Sequence, residues 1–440
     1  MLEIILDKLT LRDAVRTGLV SSRWRHLVLT RACLIFNLSN MFGIERCERW
    51  RCVCSEYKDK FVSAVSQFIG SYRGTKISIF ELCFCLNNDS PCDVLNWIRF
   101  ALNLSAEVLD VWFHCEYFTP QMPLSATPWR IPIELFQSGQ PVLKNLLLSN
   151  CAVPETFTLR PFSQLEDLRF HHIPLEFHDM GSVLSGLVKL KQLELRRCGL
   201  PSYLSLNSLT SLESVWILFC DGLEKLAVAN LKLKHLSVLC RSTVSFGLTG
   251  VPNLMRLSYA VHHGGLSLIF SKLPKILPHL RFLNVHSCSN WMGYMPESIA
   301  TFSNLLSLML ALDHKAGDIM CKIVQILKSC PQLYTLRIVL STGVDKEHKK
   351  LESIEYRHAR LTCFEILGFL GTEYQIESCK YLLKLAPRTK KMMLNCDLPE
   401  LLSPSFYLLD KLERESVINA LKAVSNDVSV VFIQKKHLII

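Results

Sequence analysis

The sequence has no hydrophobic run long enough to cross a lipid bilayer, which takes about 20 consecutive apolar residues. Its mean hydropathy is nevertheless +0.23, and 49% of its 440 residues are hydrophobic. The N-terminal segment is interrupted by charged side chains and has no apolar stretch of a signal peptide. We therefore expect an intracellular protein, in the nucleus, the cytoplasm or both, with no membrane partner. Its 18 cysteines should then be reduced thiols.

Sequence motifs of the common enzyme classes are also lacking. The chain contains no GxGxxG, GxSxG or HExxH motif and no phosphate-binding loop. Cys47, Cys52 and Cys54 form one cysteine cluster and Cys83 and Cys85 another, but neither has a second half at zinc-finger spacing. We therefore expect no enzyme, no cofactor and no metal site.

A basic stripe interleaved with aromatic residues is lacking as well. The net charge is +10, from 49 basic and 39 acidic residues, and such a balance can attract nucleic acid. The basic residues are spread along the chain, however, with groups near both ends. We interpret the excess charge as a solvated surface and expect no nucleic-acid partner.

What the sequence does contain is one short repeated pattern, with apolar residues at positions 1, 4 and 6. The copies begin at Val108, Leu143, Leu165, Leu190, Leu212, Leu233, Leu254, Leu280, Leu305, Leu333 and Leu361. From Leu143 onward the copies are 21 to 28 residues apart, which is the period of leucine-rich repeats. The pattern predicts an α/β fold, a leucine-rich-repeat solenoid whose parallel strands line its concave side.

The repeat also predicts where each side chain points. Because side chains alternate across a strand, positions 4 and 6 should point inward together, while position 1 turns the chain into the strand. Position 9 should carry a small polar group that binds backbone amides where the strand ends. Four copies have cysteine at position 9, namely Cys151, Cys198, Cys220 and Cys288.

Segments outside the regular copies are predicted from their periodicity. Residues 57–70 and 91–102 have helical spacing, and each is followed by a strand, at 76–86 and 108–113. A proline-rich insertion at 119–141 should contain a short helix near Glu134. Residues 223–228 match the pattern too soon after Leu212 for a full turn of the solenoid, so we expect them on its convex side.

The N-terminal segment differs from the repeats, since its apolar spacing predicts three short helices. The sequence from Asp7 to Leu27, DKLTLRDAVRTGLVSSRWRHL, closely resembles the F-box, above all at Asp13–Thr17 and Ser22–Arg25. Without this resemblance, the segment would be interpreted as a helical cap on the solenoid. It lacks the Leu-Pro pair with which F-boxes usually open, so we expect an F-box that is incomplete at its start.

The later segments resemble the plant F-box/leucine-rich-repeat/FBD proteins. Residues 133–136 look like the start of that family's first clear repeat, and residues 364–369, 377–387 and 390–394 resemble its C-terminal FBD region. Residues 428–433 resemble the closing strand of that region. The resemblance covers essentially the whole chain and implies an RNI-like solenoid. It divides the chain into an F-box at 1–40, a solenoid at 57–357 and an FBD-like region at 358–437.

The resemblance implies a function as well. An F-box/leucine-rich-repeat protein is a substrate adaptor of a Skp–cullin–F-box ubiquitin ligase: the F-box docks on the Skp-type adaptor protein, which links it to a cullin, and the solenoid captures a target protein. The target cannot be identified from the sequence. The alternative is a protein-interaction module without ligase coupling, because its F-box is incomplete.

We expect the apolar residues of the N-terminal unit to be shared between its own core and the adaptor protein. A unit of this size cannot bury all of them, although purely internal packing is an equal alternative for each. The candidate adaptor-binding residues are Leu2, Ile5, Leu9, Val20 and Trp24.

The target should bind on the concave face, where position 5 of each repeat points outward. This column consists of Leu147, Arg169, Glu194, Trp216, Ser237, Ser258, Asn284, Met309, Arg337 and Glu365. Position 3 should add a flanking column with Asp167, His235, Arg256 and Phe282. Most of these should be solvated side chains. Trp216 is the candidate anchor unless a neighbour covers it, and Arg169, Glu194, Met309 and Arg337 are the other candidate target-binding residues.

The C-terminal region is predicted to close the solenoid. Its apolar spacing predicts a last parallel strand at 361–369, a helix at 373–385, another strand at 390–395 and a second helix near 407–424. We expect this region to cap the solenoid and cover its last edge strand.

Overall fold

The computed structural model describes residues 2–6, 8–44, 53–86, 91–114, 128–137, 142–240, 242, 244–248, 250–261, 265–287, 299–312, 320–340, 355–396 and 411–433. The chain divides into two compact units. The first unit comprises Met1–Lys232 and Val244–Gly247, and the second comprises Leu233–Thr243 and Leu248–Ile440. No helix in the described part of the chain is both long and apolar enough to span a membrane.

The first unit begins with the three short helices that the sequence predicts. They are α1 (Leu2–Leu6), α2 (Leu11–Thr17) and α3 (Ser22–Leu29). The hydroxyl of Thr10 accepts a hydrogen bond from the amide of Asp13, and that of Ser21 accepts one from the amide of Trp24, so side chains cap both later helices. Val20 lies in the turn before the third helix, because Ser21 is the N-cap of that helix.

A parallel sheet forms the body of the first unit. Its strands are β1 (Cys33–Phe36), β2 (Ile79–Cys83), β3 (Val108–Trp112), β5 (Asn145–Ser149), β7 (Asp167–His171), β8 (Gln192–Arg196) and β10 (Ser214–Leu218). Its further helices are α4 (Leu38–Phe42), α5 (Cys54–Ser71), α6 (Pro91–Asn103), α7 (Glu134–Gln137) and α8 (Met180–Val183). The predicted helices at 57–70, at 91–102 and near Glu134 are confirmed.

Shorter strands occupy the segments that return from one sheet strand to the next. β4 (Trp129–Arg130) pairs with β6 (Cys151–Ala152), and a three-stranded sheet forms from β9 (Tyr203–Ser205), β11 (Lys225–Ala227) and β13 (Ser245–Gly247). Residues 225–227 of the segment predicted on the convex side thus form β11, outside the main sheet.

The second unit continues the same alternation with longer helices. Its parallel strands are β12 (His235–Leu239), β14 (Arg256–Val261), β15 (Phe282–Ser287), β16 (Ser307–Leu312), β17 (Thr335–Val339), β18 (Cys363–Leu367), β19 (Lys391–Asn395) and β20 (Ser429–Ile433). Its helices are α9 (Gly265–Ile276), α10 (Met320–Lys328), α11 (Glu373–Leu385) and α12 (Lys411–Lys422). The predicted leucine-rich-repeat solenoid is confirmed.

A ladder of apolar side chains forms the core of each unit. Positions 1, 4 and 6 of the repeat are buried, for example Leu190, Leu193 and Leu195. Burying one such side chain stabilises the fold by roughly 1.5–3 kcal/mol. Each strand repeats the set, so the apolar contacts run on from one strand to the next.

The repeat that was predicted to begin at Val108 begins two residues earlier in the structure, so this prediction was wrong. Leu109 pairs with Leu146, which is position 4 of the next repeat. Position 1 of this repeat is therefore the buried Ala106. The error arose because residues 108–113 have apolar side chains on both faces, so the pattern also matches in the wrong register.

The strands end through a turn that the sequence did not predict. Position 8 of successive repeats has positive φ without being glycine, at Asn150 (56°), His172 (53°), Arg197 (53°) and Phe219 (58°). Non-glycine residues seldom adopt this conformation. The conformation is stable here because the amides of Asn150, His172 and Arg197 each donate a hydrogen bond to a carbonyl oxygen of the neighbouring strand.

The cysteines at position 9 have a different role from the one predicted. The thiol of Cys198 donates to the carbonyl oxygen of Phe170 at 3.2 Å, and that of Cys220 donates to the carbonyl oxygen of Leu195 at 3.3 Å. They therefore satisfy carbonyl groups rather than amides. Cys151 is buried, and Cys288 lies outside the described residues. None of the cysteines that the structure describes, including Cys54, Cys83 and Cys85, forms a disulfide bond.

The C-terminal region extends the sheet instead of covering its edge. The predicted helix at 373–385 is confirmed at the same bounds as α11, and the predicted strand at 390–395 is β19. The strand expected at 361–369 is not the last, because β19 pairs with β18 and β20 pairs with β19, both in parallel. The second helix is confirmed from Lys411, and residues 407–410 lie outside the described part.

Deleting residues 358–440 should destabilise what remains. The deletion removes Leu367 from a buried cluster with Met309, Ala311 and Val339, and it exposes the edge of β17 to other chains. We expect a lower melting temperature by circular dichroism and aggregation in size-exclusion chromatography. A soluble truncated chain with an unchanged melting temperature would contradict this role.

Candidate protein-interaction surfaces

Exposed apolar side chains are concentrated in the N-terminal helices. Among the predicted adaptor-binding residues, Val20 is 79% exposed and Ile5 is 45% exposed. Leu2, Leu9 and Trp24 are half-buried. This distribution arises because the interior of the unit is already filled by Leu6, Leu11, Ala14 and Val28.

Two further residues belong to this surface and were not predicted. Leu19 is 76% exposed beside Val20, and Val15 is exposed on α2. A run of two apolar residues before the capping Ser21 was the signal that could have identified the first. We define the apolar N-terminal patch as the adjacent residues Leu19 and Val20, while Ile5 and Val15 are further exposed apolar residues of the same helices.

The predicted position-5 column exists in each unit. In the first unit, Leu147 pairs with Arg169, Arg169 with Glu194, and Glu194 with Trp216. In the second unit the paired residues run in the order Ser237, Ser258, Asn284, Met309, Arg337 and Glu365. The register between repeats is therefore the one that the spacing predicts.

The expectation that most of the column is solvated is wrong. Leu147, Ser237, Ser258, Met309 and Glu365 are buried. Neighbouring strands lie about 4.8 Å apart, so side chains in register cover one another. Met309 is only 7% exposed within its cluster, so little of its surface remains for a target.

In the first unit, charged residues of this face pair with one another. The Nε atom of Arg169 donates to Asp167 at 3.1 Å, and Nε2 of His171 lies 3.1 Å from Oε1 of Glu194. The hydrogen bond from His171 lowers the pKa of Glu194. Trp112 packs edge-on against the ring of His171, at 5.2 Å between centroids. These contacts hold Arg169 and Glu194 in fixed positions.

Trp216 is half-buried on the same face, beside Glu194. It is therefore partly covered, and part of its apolar area remains accessible. An aromatic side chain suits an interface anchor, because it has few rotatable bonds and loses little conformational entropy on binding.

In the second unit the column carries a hydrogen-bonded triplet. Nε of Arg337 lies 2.6 Å from Oε2 of Glu365, and Nδ2 of Asn395 donates to Oε1 of the same carboxylate at 3.2 Å. In the flanking column, the guanidinium of Arg256 stacks 3.9 Å above the ring of Phe282. Burial lowers the pKa of His235. Asp167 of the first unit is buried.

The described residues contain no cluster of histidine, cysteine, aspartate or glutamate able to hold a metal ion. Buried thiols are inert rather than nucleophilic, since burial raises the pKa of Cys330 to about 12. The exposed features of both units are thus suited to contacts with other proteins.

Comparison with known families identifies these repeats. A family described as the leucine-rich-repeat domain of At1g61320/AtMIF1 matches residues 70–425. The chain belongs to this family. Leucine-rich-repeat proteins of this kind are typically interaction modules rather than enzymes.

Relatives of this leucine-rich-repeat chain come from Arabidopsis thaliana. The F-box/FBD/LRR-repeat protein At1g13570 is 24% identical over 409 residues, which cover 88% of this chain and 87% of that protein. The F-box/LRR-repeat protein At3g03360 is 24% identical over 209 residues, covering 45% and 37%. The putative F-box/LRR-repeat protein At5g02700 is 28% identical over 184 residues, covering 41% and 33%. The resemblance to plant F-box/leucine-rich-repeat proteins is thereby confirmed.

A solved structure also aligns with the chain. An internalin of Listeria monocytogenes covers 77% of this chain and 83% of its own, with a TM-score of 0.35 and 14% identity. The assignment of the fold rests on the repeat register and the family match.

Asp110 is an acidic side chain of the first unit's strand face with an unusual environment. It pairs with Leu147 in the column. Burial raises the pKa of Asp110 to about 6, despite the opposing attraction of Arg169. The sequence did not point to this residue, because its burial depends on neighbours from other repeats.

We expect Asp110→Asn to stabilise the protein at pH 8. The pKa of Asp110 is higher in the folded state than the ~3.9 of an unfolded chain, so the wild type loses stability as the pH rises through the interval from 4 to 6. Asparagine does not titrate, so the variant should gain up to ~3 kcal/mol at pH 8 and almost nothing near pH 4. Urea unfolding of both proteins across this range measures the difference, and a pH-independent difference would contradict the assignment.

Proposed function

We propose that the chain is a substrate-recognition subunit of a Skp–cullin–F-box ubiquitin ligase. In this proposal the N-terminal helices bind the Skp-type adaptor protein, and through it a cullin, while the strand face captures a target protein. Such a subunit needs no active site, because it raises the effective concentration of the target near the ubiquitin carrier. We place its activity in the nucleus, the cytoplasm or both.

The observation that carries the proposal is the apolar N-terminal patch. Leu19 and Val20 are adjacent in the turn between α2 and α3, and both are more than three-quarters exposed. Clustered apolar side chains that face water generally mark interaction sites. The helices bearing them resemble the F-box, and the Arabidopsis relatives have F-box in their names.

A double charge substitution tests adaptor binding. Leu19→Asp with Val20→Asp should weaken binding of a recombinant Skp-type adaptor at least about tenfold, because two carboxylates would have to be desolvated at the interface. Neither side chain belongs to the buried core of the helices, so circular dichroism should show an intact fold.

The matched control is Val188→Asp, which changes another exposed valine of the same unit, far along the chain from the helices. It should leave adaptor binding unchanged. If the double variant binds the adaptor as tightly as the wild type, the patch is not the docking site.

A second candidate function is a leucine-rich-repeat interaction module that is not coupled to a ligase. It is favoured by the extent of the family match, which begins at residue 70 and leaves the N-terminal helices outside. A full-length chain that binds the adaptor no better than a chain lacking residues 1–30 would support this function instead.

Target capture should depend on Trp216. If this side chain anchors the target, Trp216→Ala should cost ~2 kcal/mol or more of binding energy. Substitutions of Arg169, Glu194 and Arg337 should have smaller effects, because the charges of these residues are partly neutralised by their partners. Affinity capture from cells would identify the target, and its affinity for each variant would then be measured in vitro.

Tyr203→Ala is the control for this substitution. Tyr203 is another aromatic residue of the first unit with accessible surface, but it lies on β9, outside the main sheet. It should cost less than about 0.5 kcal/mol, as is usual for a surface residue outside the interface. Full capture by a well-folded Trp216→Ala variant would exclude this column as the binding surface.

A further inference from the structure

The residues at position 2 of successive repeats form a row where the strands begin. Their backbones are linked directly: in the second unit each amide donates to the carbonyl oxygen of the preceding member at 2.8–3.1 Å. We define the strand-start row of the second unit as Met255, Arg281, Leu306, Tyr334, Thr362 and Lys390.

In the first unit the corresponding row has alternating charges that neutralise one another. Glu107 lies 2.8 Å from Lys144, and Glu166 lies 2.6 Å from Lys191. The lysine contacts lower the pKa of Glu107 to about 2. Little net charge is left in this row to attract a partner protein. The corresponding row of the second unit can therefore be compared with it.

The strand-start row of the second unit has no such balance. Arg281 and Lys390 of this row are exposed, and so is Arg360, two residues before Thr362. None of the three forms an ion pair with any residue that the structure describes. Between them lie two exposed apolar side chains, Leu306 (38% exposed) and Tyr334 (57% exposed). Exposed cations therefore flank an apolar centre.

Two cavities run along this row. One has a volume of about 670 Å³ and is lined by Met255, His279 and Arg281, and the other has about 680 Å³ and is lined by Tyr334, Arg360 and Arg388. Both include Leu306 and Gln332, so they form one continuous groove. Of the described residues that line it, none is an aspartate or a glutamate.

We propose that this groove binds an extended acidic peptide segment of a partner protein, with carboxylates at both ends and apolar side chains in its centre. The lining of the groove shares no residue with the N-terminal helices or with the position-5 column, and it meets the flanking column at Phe282. It is therefore an additional interaction surface that does not depend on coupling to a ligase.

The spacing of the row supports this choice of ligand. Arg281 on the β15 repeat and Lys390 on the β19 repeat are four strands apart, which is roughly 19 Å at the usual strand separation. Residues of an extended peptide rise about 3.3 Å each, so side chains six positions apart are roughly 20 Å apart. The side chain two positions along would lie roughly 7 Å from the start, between Leu306 and Tyr334, and the side chain four positions along roughly 13 Å from it, between Tyr334 and Thr362.

A peptide fits this pattern better than a single-stranded nucleic acid does. A nucleic acid places a phosphate at every nucleotide and requires cations along the whole groove. Here Arg281 precedes Leu306 and Tyr334 in the order of the repeats, and Arg360, Arg388 and Lys390 follow them, so no cation lies at the two central positions of the row. The centre offers one ring, Tyr334, that could stack on a base.

The test uses a fluorescent peptide, Glu-Asp-Leu-Ser-Leu-Asp-Glu, with blocked ends and the full-length chain. We expect saturable binding that is lost when lysine replaces every acidic residue of the peptide, and that weakens as salt is raised. Arg281→Glu, Arg360→Glu and Leu306→Asp should each reduce the affinity about tenfold or more, because like charges would then face each other.

Lys272→Glu is the matched control, since it makes the same charge change at an exposed site on α9, outside the groove. It should change the affinity less than about twofold at 0.15 M salt. Circular dichroism checks that every variant is folded. If one of the three groove variants does not fold, the other two are enough to test the proposal.

Three results would overturn the proposal. The first is equal binding of the acidic and the lysine peptides. The second is an equal loss of affinity in Lys272→Glu and the groove variants, which would indicate only a general attraction to a basic protein. The third is tighter binding of a six-nucleotide oligothymidylate than of the acidic peptide, which would indicate a nucleic-acid site.

Discussion

The buried ladder of apolar side chains at positions 1, 4 and 6 is the interaction on which the rest of this structure depends. A single strand with its return segment cannot bury these residues alone, so each repeat is stable only against its neighbours. The register of one strand on the next is thereby set, since a shift of one residue would move the apolar set to the other face. All other positions of the repeat are aligned as a consequence.

This alignment converts sequence positions into continuous surfaces. Position 5 becomes a column on the strand face, and position 2 becomes a row at the strand starts. What each surface can bind depends on the residues that the repeats place there. The alternation of Glu107, Lys144, Glu166 and Lys191 neutralises the row of the first unit, whereas the second unit leaves Arg281 without a partner among the described residues. One scaffold therefore carries surfaces of different chemistry.

The sequence predicted the features that depend on local periodicity. Helix α11 was predicted at its observed bounds from its apolar spacing. In the structure Thr372 caps its start, and Pro387 follows its end. The column register followed from the spacing of the copies. The repeat at Val108 was misplaced because its strand has apolar residues on both faces, and the pattern alone could not choose between them.

Features that depend on neighbours from other repeats could not be predicted. The repeat pattern predicts that Met309 faces outward, but Ala311, Val339 and Leu367 bury it. The raised pKa of Asp110 comes from burial among three strands. At the N-terminus, the sequence identified Val20 but not Leu19, since the exposure of both residues depends on how α2 and α3 pack together.

The central functional claim is that the N-terminal helices dock the chain on an adaptor while the repeats remain available to a target. Hydrogen–deuterium exchange of the full-length chain, with and without a recombinant Skp-type adaptor, tests this claim most directly. The account predicts slower exchange in Leu2–Leu6 and in residues 19–29, and unchanged exchange in strands β5 to β17. Protection confined to the strands, or no protection of the N-terminal helices at saturating adaptor, would contradict it.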